Sequence, residues 1–324
     1  MKSKMRLKRG NPKVSSFLEI ITICLALGCG LCGCTDPAET KSLKEFEKSI
    51  TREQVHVTIP GMKGSKQLLY LSDLHLVTES DQIAPGQRDE VHNRKVFFSH
   101  EGVTAADAWL PWTKYLDSTD SDALLFGADM VDFASESNVD CLKKGLDQLK
   151  TPWTYVRADH DIEPYFLEGV SKKECLAYHD KISPWEEVMT MEFDEFMVVG
   201  WNNSTEQLSE AGLERMKELF AAGKPIILLT HVPIKPLVDD SLEQKSREAW
   251  NDRALLWGEG CDRQPNDVTR EFLDMIYAED TPVCQILCGH LHFSWDGHVT
   301  KRVKQHVFSA AYAKNLGVIT VSGD

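Results

Sequence analysis

The sequence predicts an α/β sandwich with largely buried sheets. Strand-length apolar runs recur along the chain with helical patterns between them, and several of the runs end on Asp or His. That alternation is the signature of layered α/β architecture. With 324 residues, 42% hydrophobic and 27% charged, the chain has enough apolar material for a sizeable core.

Taken in order, "QVHVTIPG" and "KQLLYLS" read as two strands joined by a turn that contains Gly61, Lys63 and Gly64. Further strands follow at "DALLFG", "PWTYVR", "EFMVVGW", "KPIILLT" and "PVCQILCG". Between them, "NVDCLKKGLDQL" places Val139, Leu142, Leu146 and Leu149 on one helical face. "SEAGLERMKELFAAG" does the same with Leu213, Met216, Leu219 and Phe220, with Ser209 as N-cap and Gly223 as stop. "DVTREFLDMIY" adds a third helix, with Val268, Phe272, Met275 and Ile276 as its stripe. Two segments, 77–103 and 237–265, break the rhythm as long, mostly polar excursions. Excursions of that length in compact domains are often lids or binding loops.

The first 33 residues hold six Lys or Arg and one Glu, so the remainder, with 30 basic and 49 acidic residues, stands near −19. A body that acidic is a poor general binder of nucleic acid, and no nucleic-acid partner is expected. The start, "MKSKMRLKRGNPK", is a basic n-region, and "IITICLALGCGLCGC" is an apolar run of signal-peptide length, too short for a stable span. Its end, Leu31-Cys32-Gly33-Cys34, resembles the bacterial lipoprotein box, with Cys34 as the lipid-bearing residue and Cys32 where Ala or Ser is more usual. An ordinary secretory signal cut nearby is the alternative. Either reading puts the mature protein outside the cytoplasm, and lipidation would anchor it to the membrane. The expected organisation is a signal over 1–33, a polar tether over 34–50 and one domain over 51–324. The body's cysteines (Cys141, Cys175, Cys261, Cys284 and Cys288) form neither a paired framework nor a CxxC motif.

The chemistry concentrates where the apolar runs end. "LYLSDLHL" carries Asp73 and His75 two positions apart, so on a strand they would share a face while Leu74 packs behind. Alone, such a pair is better explained by a chance Asp and a satisfied core His. But Asp129 follows "LLFGA", Asp159 and His160 follow "WTYVRA", His231 follows "PIILLT", and His290 and His292 follow "VCQILCG". Open α/β folds bind ligands beyond the carboxyl ends of their strands, so these groups can meet on one rim.

The ordered set DLH, GADMVD, ADHD, HVP and GHLH resembles the calcineurin-like metallophosphoesterase superfamily, whose pattern runs DxH, GDxxD, GNH[DE], H and GHxH. The resemblance spans Leu71 to His292. It implies a two-sheet β-sandwich flanked by helices in four layers (α/β/β/α), two metal ions, and hydrolysis of phosphate mono- or diesters or a pyrophosphate linkage by a metal-bridging hydroxide. Carried over by position, Asp73, His75 and His292 hold the first metal, Asp129 bridges, and Asp159, His231 and His290 complete the second. His160 stands as the catalytic non-ligand that hydrogen-bonds the phosphate and assists the leaving group. Oxygen and imidazole donors without thiolate suit Mn, Fe or Zn.

This sequence departs from the pattern twice. Ala128 replaces Gly before the bridging Asp, which asks for a backbone adjustment. Asp159 replaces Asn, so three carboxylates, two divalent ions and a hydroxide sum to zero charge instead of +1. That weakens the pull on an anionic substrate and makes the bound water less acidic, with tighter metal binding and a higher pH optimum as the expected results. Asp132 and Asp161 are expected to support ligands by hydrogen bonds, and Arg88 and Arg94 are candidate contacts for substrate phosphate. The expected partner is a small phosphorylated substrate. The rival is a lipid-anchored binding protein with a catalytically idle dimetal site.

Overall fold

The structure, a computed structural model, describes residues 37–204 and 207–324; the signal segment and Cys34 lie outside them. The elements run α1 (Pro37–Lys48), β1 (Thr51–Thr58), β2 (Ser65–Leu71), α2 (Arg88–Phe97), α3 (Ala105–Ser118), β3 (Ala123–Gly127), α4 (Glu136–Leu146), β4 (Trp153–Val156), α5 (Asp159–Ile162) and α6 (Lys172–His179). They continue as β5 (Val188–Glu192), β6 (Met197–Trp201), α7 (Glu210–Ala221), β7 (Ile226–Thr230), α8 (Ser241–Ala249), α9 (Asp267–Tyr277), β8 (Val283–Cys288), β9 (Trp295–His298), β10 (Lys304–Val307) and β11 (Asn315–Ser322).

Two mixed sheets form, ordered β1-β11-β2-β3-β4 and β5-β6-β7-β8-β10-β9. Period-2 alternation distributes their side chains among three cores. Leu68, Tyr70 and Leu125 of one sheet meet Val198, Ile227, Leu229 and Leu287 of the other in the space between. Leu69, Leu71, Leu124 and Phe126 face outward onto Trp109, Trp112 and Leu142 of α3 and α4. Ile226, Leu228 and Ile286 face the other way onto Leu213, Met216, Phe272 and Ile276 of α7 and α9. The result is the four-layered sandwich.

The helix caps follow the side chains that can make them. Ser209 accepts from the Gly212 N–H at the start of α7, and Gly223 at φ 73° follows its end.

Three features differ from the sequence reading. β1 and β2 are not partners, because β11 lies between them, parallel to β1 and antiparallel to β2. Over Pro37–Lys48, where polar composition suggests a tether, the chain is helical, and Phe46 sets its ring edge-on to Trp112 at 5.1 Å. The two excursions are not bare loops, for they contain α2 and α8. No described helix is long and apolar enough to cross a membrane.

β2, β3 and β4 run parallel, as do β6, β7, β8 and β10. The candidate residues therefore leave the carboxyl ends of neighbouring strands: Asp73 after β2, Asp129 after β3, Asp159 after β4, His231 after β7 and His290 after β8.

Candidate metal centre

Asp73 and His75 do not project from a strand face. β2 ends at Leu71, and both residues are left-handed, at φ 56° and 49°. Ala128 and Asp129 (78° and 50°) and His290 and His292 (70° and 57°) repeat the conformation. A side chain in this region costs about 1–2 kcal/mol, so six of them are tolerated only where the surroundings fix the backbone. Here the turns brace one another. Asp73 N–H donates to the Ala128 carbonyl at 3.0 Å, His75 N–H to that of Asp129 at 2.9 Å, and Leu76 N–H to that of Met130 at 3.1 Å. Leu74 and Leu291, each between two left-handed residues, are buried in the cores, and each adds about 2 kcal/mol of apolar burial.

Ala128 survives in a glycine conformation because its methyl is fully buried. Burial of about 0.8 kcal/mol, plus about 0.5–1 kcal/mol of backbone entropy that glycine would lose, roughly offsets the left-handed strain.

Among the described residues, three groups of ligand atoms each lie within 4.8 Å of one another: Asp73, His75 and His292; His75, Asp129 and His160; Asp129, His231 and His290. Asp129 and His75 each belong to two groups.

Hydrogen bonds fix which imidazole nitrogens face the centre. Nδ1 of His75 donates to the Asp132 carboxylate at 3.0 Å, and Nδ1 of His231 donates to the Gly127 carbonyl at 2.8 Å. Each Nε2 is thereby left with its lone pair in the neutral ring, turned inward. The Nε2 atoms of His75 and His292 face each other at 3.2 Å, as do Nε2 of His231 and Nδ1 of His290 at 3.3 Å. Asp129 Oδ1 is buried without a hydrogen-bond partner. Converging lone pairs and an orphaned carboxylate oxygen are a donor set that fits divalent cations.

Burial disfavours the imidazolium of His231, but Asp129 outweighs it and lifts the pKa to about 10; burial and then His231 hold His290 down at about 3. A cation at Asp129 must displace the proton on His231, so binding at this group releases a proton.

Of the supporting residues, Asp132 and Asp161 stand at motif positions, while their own partners do not. Asp132 receives a fork from Arg94, Nε to Oδ2 at 2.7 Å and Nη2 to Oδ1 at 2.6 Å, while its backbone carbonyl accepts from Nδ1 of His160 at 2.6 Å. The Asp161 carboxylate accepts from the N–H groups of Asp129 (2.8 Å), Met130 (3.0 Å) and Ala158 (2.9 Å) and from the Tyr155 hydroxyl (2.6 Å), which pins the turn carrying Asp129. Asn203, fully buried, accepts from the N–H of His231 at 3.0 Å and of Val232 at 2.9 Å. Its only signal in the sequence was a polar pair ending the run "MVVGW". Gly289 is required sterically, because a Cβ there would run into Ser72 Oγ and the Asp73 carboxylate.

Asp159 stands apart from the three groups. It lines the same cavity, but its carboxylate accepts from the Ser204 hydroxyl and, at 3.0 Å, from that of Tyr165. His160, expected to be a non-ligand, falls within one of the groups.

The cavity over the centre holds about 640 Å³. Glu90, Asn93, Arg94 and Phe97 of α2 line one side at i, i+3, i+4 and i+7, and Trp250, Arg253, Leu255 and Arg263 of the second excursion line another. Arg88 belongs to the opposite face of α2, is exposed, and is not part of the lining, which corrects its expected role. Arg94 does reach the cavity, with its Nε and Nη2 engaged by Asp132 and its charge partnered there.

A family model, calcineurin-like phosphoesterase, matches residues 67–294, which contain every one of these turns. The chain belongs to the calcineurin-like phosphoesterase family. Membership makes it, in general terms, a metal-dependent hydrolase of phosphoesters with a dinuclear centre. No curated protein matches the chain. Among solved structures it is similar to a dimetal phosphatase from Danio rerio, at 10% identity and a TM-score of 0.47, covering 76% of this chain and 88% of that one. It is also similar to a purple acid phosphatase from yellow lupin (Lupinus luteus) seeds, at 12% identity and a TM-score of 0.48, covering 78% of this chain and 45% of that one. A third likeness is to a putative 5'-nucleotidase from Staphylococcus aureus, at 11% identity and a TM-score of 0.37, covering 81% of this chain and 51% of that one.

Proposed function

We propose that this calcineurin-like phosphoesterase hydrolyses a small phosphorylated compound outside the cytoplasm while tethered to the membrane through a lipid on Cys34. The observation that carries the hydrolytic reading is the position of Asp129, shared between two groups of donors with one carboxylate oxygen left without a hydrogen-bond partner. In this reading Asp73, His75 and His292 would hold one ion and His231 and His290 the other, with Asp129 shared between them and Asp159 at hand beside Ser204 and Tyr165. Two such ions supply Lewis acidity and a nucleophile at neutral pH.

The chain's own residues do the rest. Asp132 and the Gly127 carbonyl keep His75 and His231 in the tautomers that bind cations. Nδ1 of His160 donates to the Asp132 carbonyl, so its Nε2 remains to hold a proton for the departing oxygen. The walls from the two excursions narrow the approach and select what reaches the centre.

The test is metal content of the purified full chain together with hydrolysis of an aryl phosphomonoester and a bis-aryl phosphodiester. Turnover that depends on bound metal supports the reading, and the ratio of the two rates assigns the bond. Bound metal without turnover of any phosphoester or anhydride would favour the idle binding site instead. Mass spectrometry of the N-terminal peptide reads the lipid on Cys34; an unmodified Cys34 in the mature chain would remove the anchor.

A further inference from the structure

Three arginines line the cavity over the metal centre, and two of them are neutralised. Arg94 is forked onto Asp132, and Nε of Arg253 donates to Asp262 at 2.8 Å. The third, Arg263, has no side-chain hydrogen bond or ion pair among the described residues, in a chain where acids outnumber bases by 50 to 36.

Its backbone, by contrast, is held firmly. Arg263 N–H donates to the Leu256 carbonyl at 3.2 Å, and its own carbonyl accepts from Gly258 at 3.0 Å. Trp257, whose strand bridge pairs it with Arg263, is buried and donates its indole N–H to the Asn203 carbonyl at 2.6 Å. Asn203 in turn orients His231, so the segment carrying Arg263 is tied to the metal centre itself. A half-buried arginine on a held backbone, lining the cavity with no carboxylate paired to it, is the arrangement that recognises an anion from solution. The scissile phosphate belongs to the metal centre, so a second anion is needed. The other walls combine the aromatic rings of Phe97, exposed to 67%, and Trp250, held edge-on to His292 at 5.6 Å, with Glu90, Asn93, Leu255 and Asp262.

We infer that Arg263 is a specificity-determining residue that binds a second anionic group, a carboxylate or a further phosphate, of a phosphoester with a flat apolar body. The inference rests on the phosphoesterase reading for its first anion.

The test uses 4-(carboxymethyl)phenyl phosphate and 4-(2-carboxyethyl)phenyl phosphate, each against its methyl ester, which keeps the leaving group and removes only the distant charge. With the metal-loaded full chain, at least one acid should exceed its ester in kcat/KM by about tenfold, the scale of one charge-assisted hydrogen bond. Arg263→Gln should bring that ratio close to one, Arg263→Lys should keep part of it, and Arg88→Gln, on the far face of α2, should leave it intact. Calorimetry with the matching phosphonates gives a readout without turnover.

Equal kcat/KM for acids and esters in the wild-type chain, or a preference that survives Arg263→Gln, overturns the inference while leaving hydrolysis standing. If nothing is hydrolysed but the acid phosphonates bind more tightly and lose this in Arg263→Gln, the subsite stands and the hydrolytic reading falls. Should Arg263→Gln fail to fold, the acid-to-ester ratio of the wild-type chain and its retention in Arg263→Lys decide the matter.

Discussion

Nδ1 of His75 and the carboxylate of Asp132 meet at 3.0 Å in the buried floor of the site, and the same carboxylate is forked by Arg94. That contact keeps the opposite nitrogen of His75 free for a cation. Asp132→Asn places an amide against Nδ1 and deprives Arg94 of its counter-charge. Metal affinity should fall by about 10–100-fold. Stability should fall by about 1–3 kcal/mol rather than the full cost of breaking a buried pair, because Arg94 keeps 25% exposure and can reach water. Metal titration and thermal melting check the two effects separately; unchanged affinity would remove Asp132 from the centre.

Gly289 serves the site through its missing side chain. A Cβ there would displace the Asp73 carboxylate, whose oxygens accept from His290 N–H at 3.1 and 3.2 Å. Gly289→Ala should therefore cost the group formed by Asp73, His75 and His292 its ion while the fold persists, giving about half the metal content by elemental analysis and a near-native circular dichroism spectrum. Full metal content would show that Asp73 can relax without loss.

Asp159→Asn addresses the departure from the family pattern. Losing one negative charge beside Asp129 should move the pH optimum of hydrolysis downward and loosen one ion. The Tyr165 hydroxyl, now donating to Asp159 at 3.0 Å, can donate equally to an amide oxygen, so the fold should tolerate the change. A pH–rate profile and metal analysis that both match the wild-type chain would contradict the role given to this carboxylate.

Acid sensitivity should come in part from His179, which is fully buried at the end of α6. Burial, and then Arg157, hold its pKa down at about 3 against an ordinary 6.5. The unfolded chain therefore takes up a proton at pH values where the folded chain does not. Stability contributed in this way is complete above about 6.5 and declines as pH falls toward 3, by up to about 1.4 kcal/mol per pH unit. His179→Leu should flatten the stability profile between pH 6.5 and 5 in urea denaturation. An unchanged slope would mean that His179 protonates in the folded state.

The fold was legible wherever a strand is buried on both faces. β3, β7 and β8 are continuous apolar runs because each separates two cores. β5 and β9 were not, since "VMTME" and "WDGH" mix polar residues on half-covered strands, nor was β10, whose "KQHV" buries a Gln and a His. α3 was hidden by Pro111 within it, and α2 by a cavity stripe of Glu90, Asn93, Arg94 and Phe97 that has helical spacing but no apolar character. β11 could not be placed between β1 and β2 because that pairing joins residues more than 200 positions apart.

The candidate ligands were readable because Asp and His at strand ends are rare enough to notice in a series. Their left-handed backbone was not, as none of the six is glycine. Asp132 and Asp161 were readable beside their motifs, whereas Asn203 and Arg263 escaped notice because they reach the site through the three-dimensional neighbourhood, without a fixed spacing.

The central claim is a pair of cations sharing Asp129. Metal content per chain, measured side by side for the wild-type protein and Asp129→Ala, tests it most directly. Two ions are expected in the first, and the loss of both, with hydrolysis, in a second protein that still folds. Two ions retained after Asp129→Ala, or fewer than two in the metal-saturated wild-type chain, would contradict it.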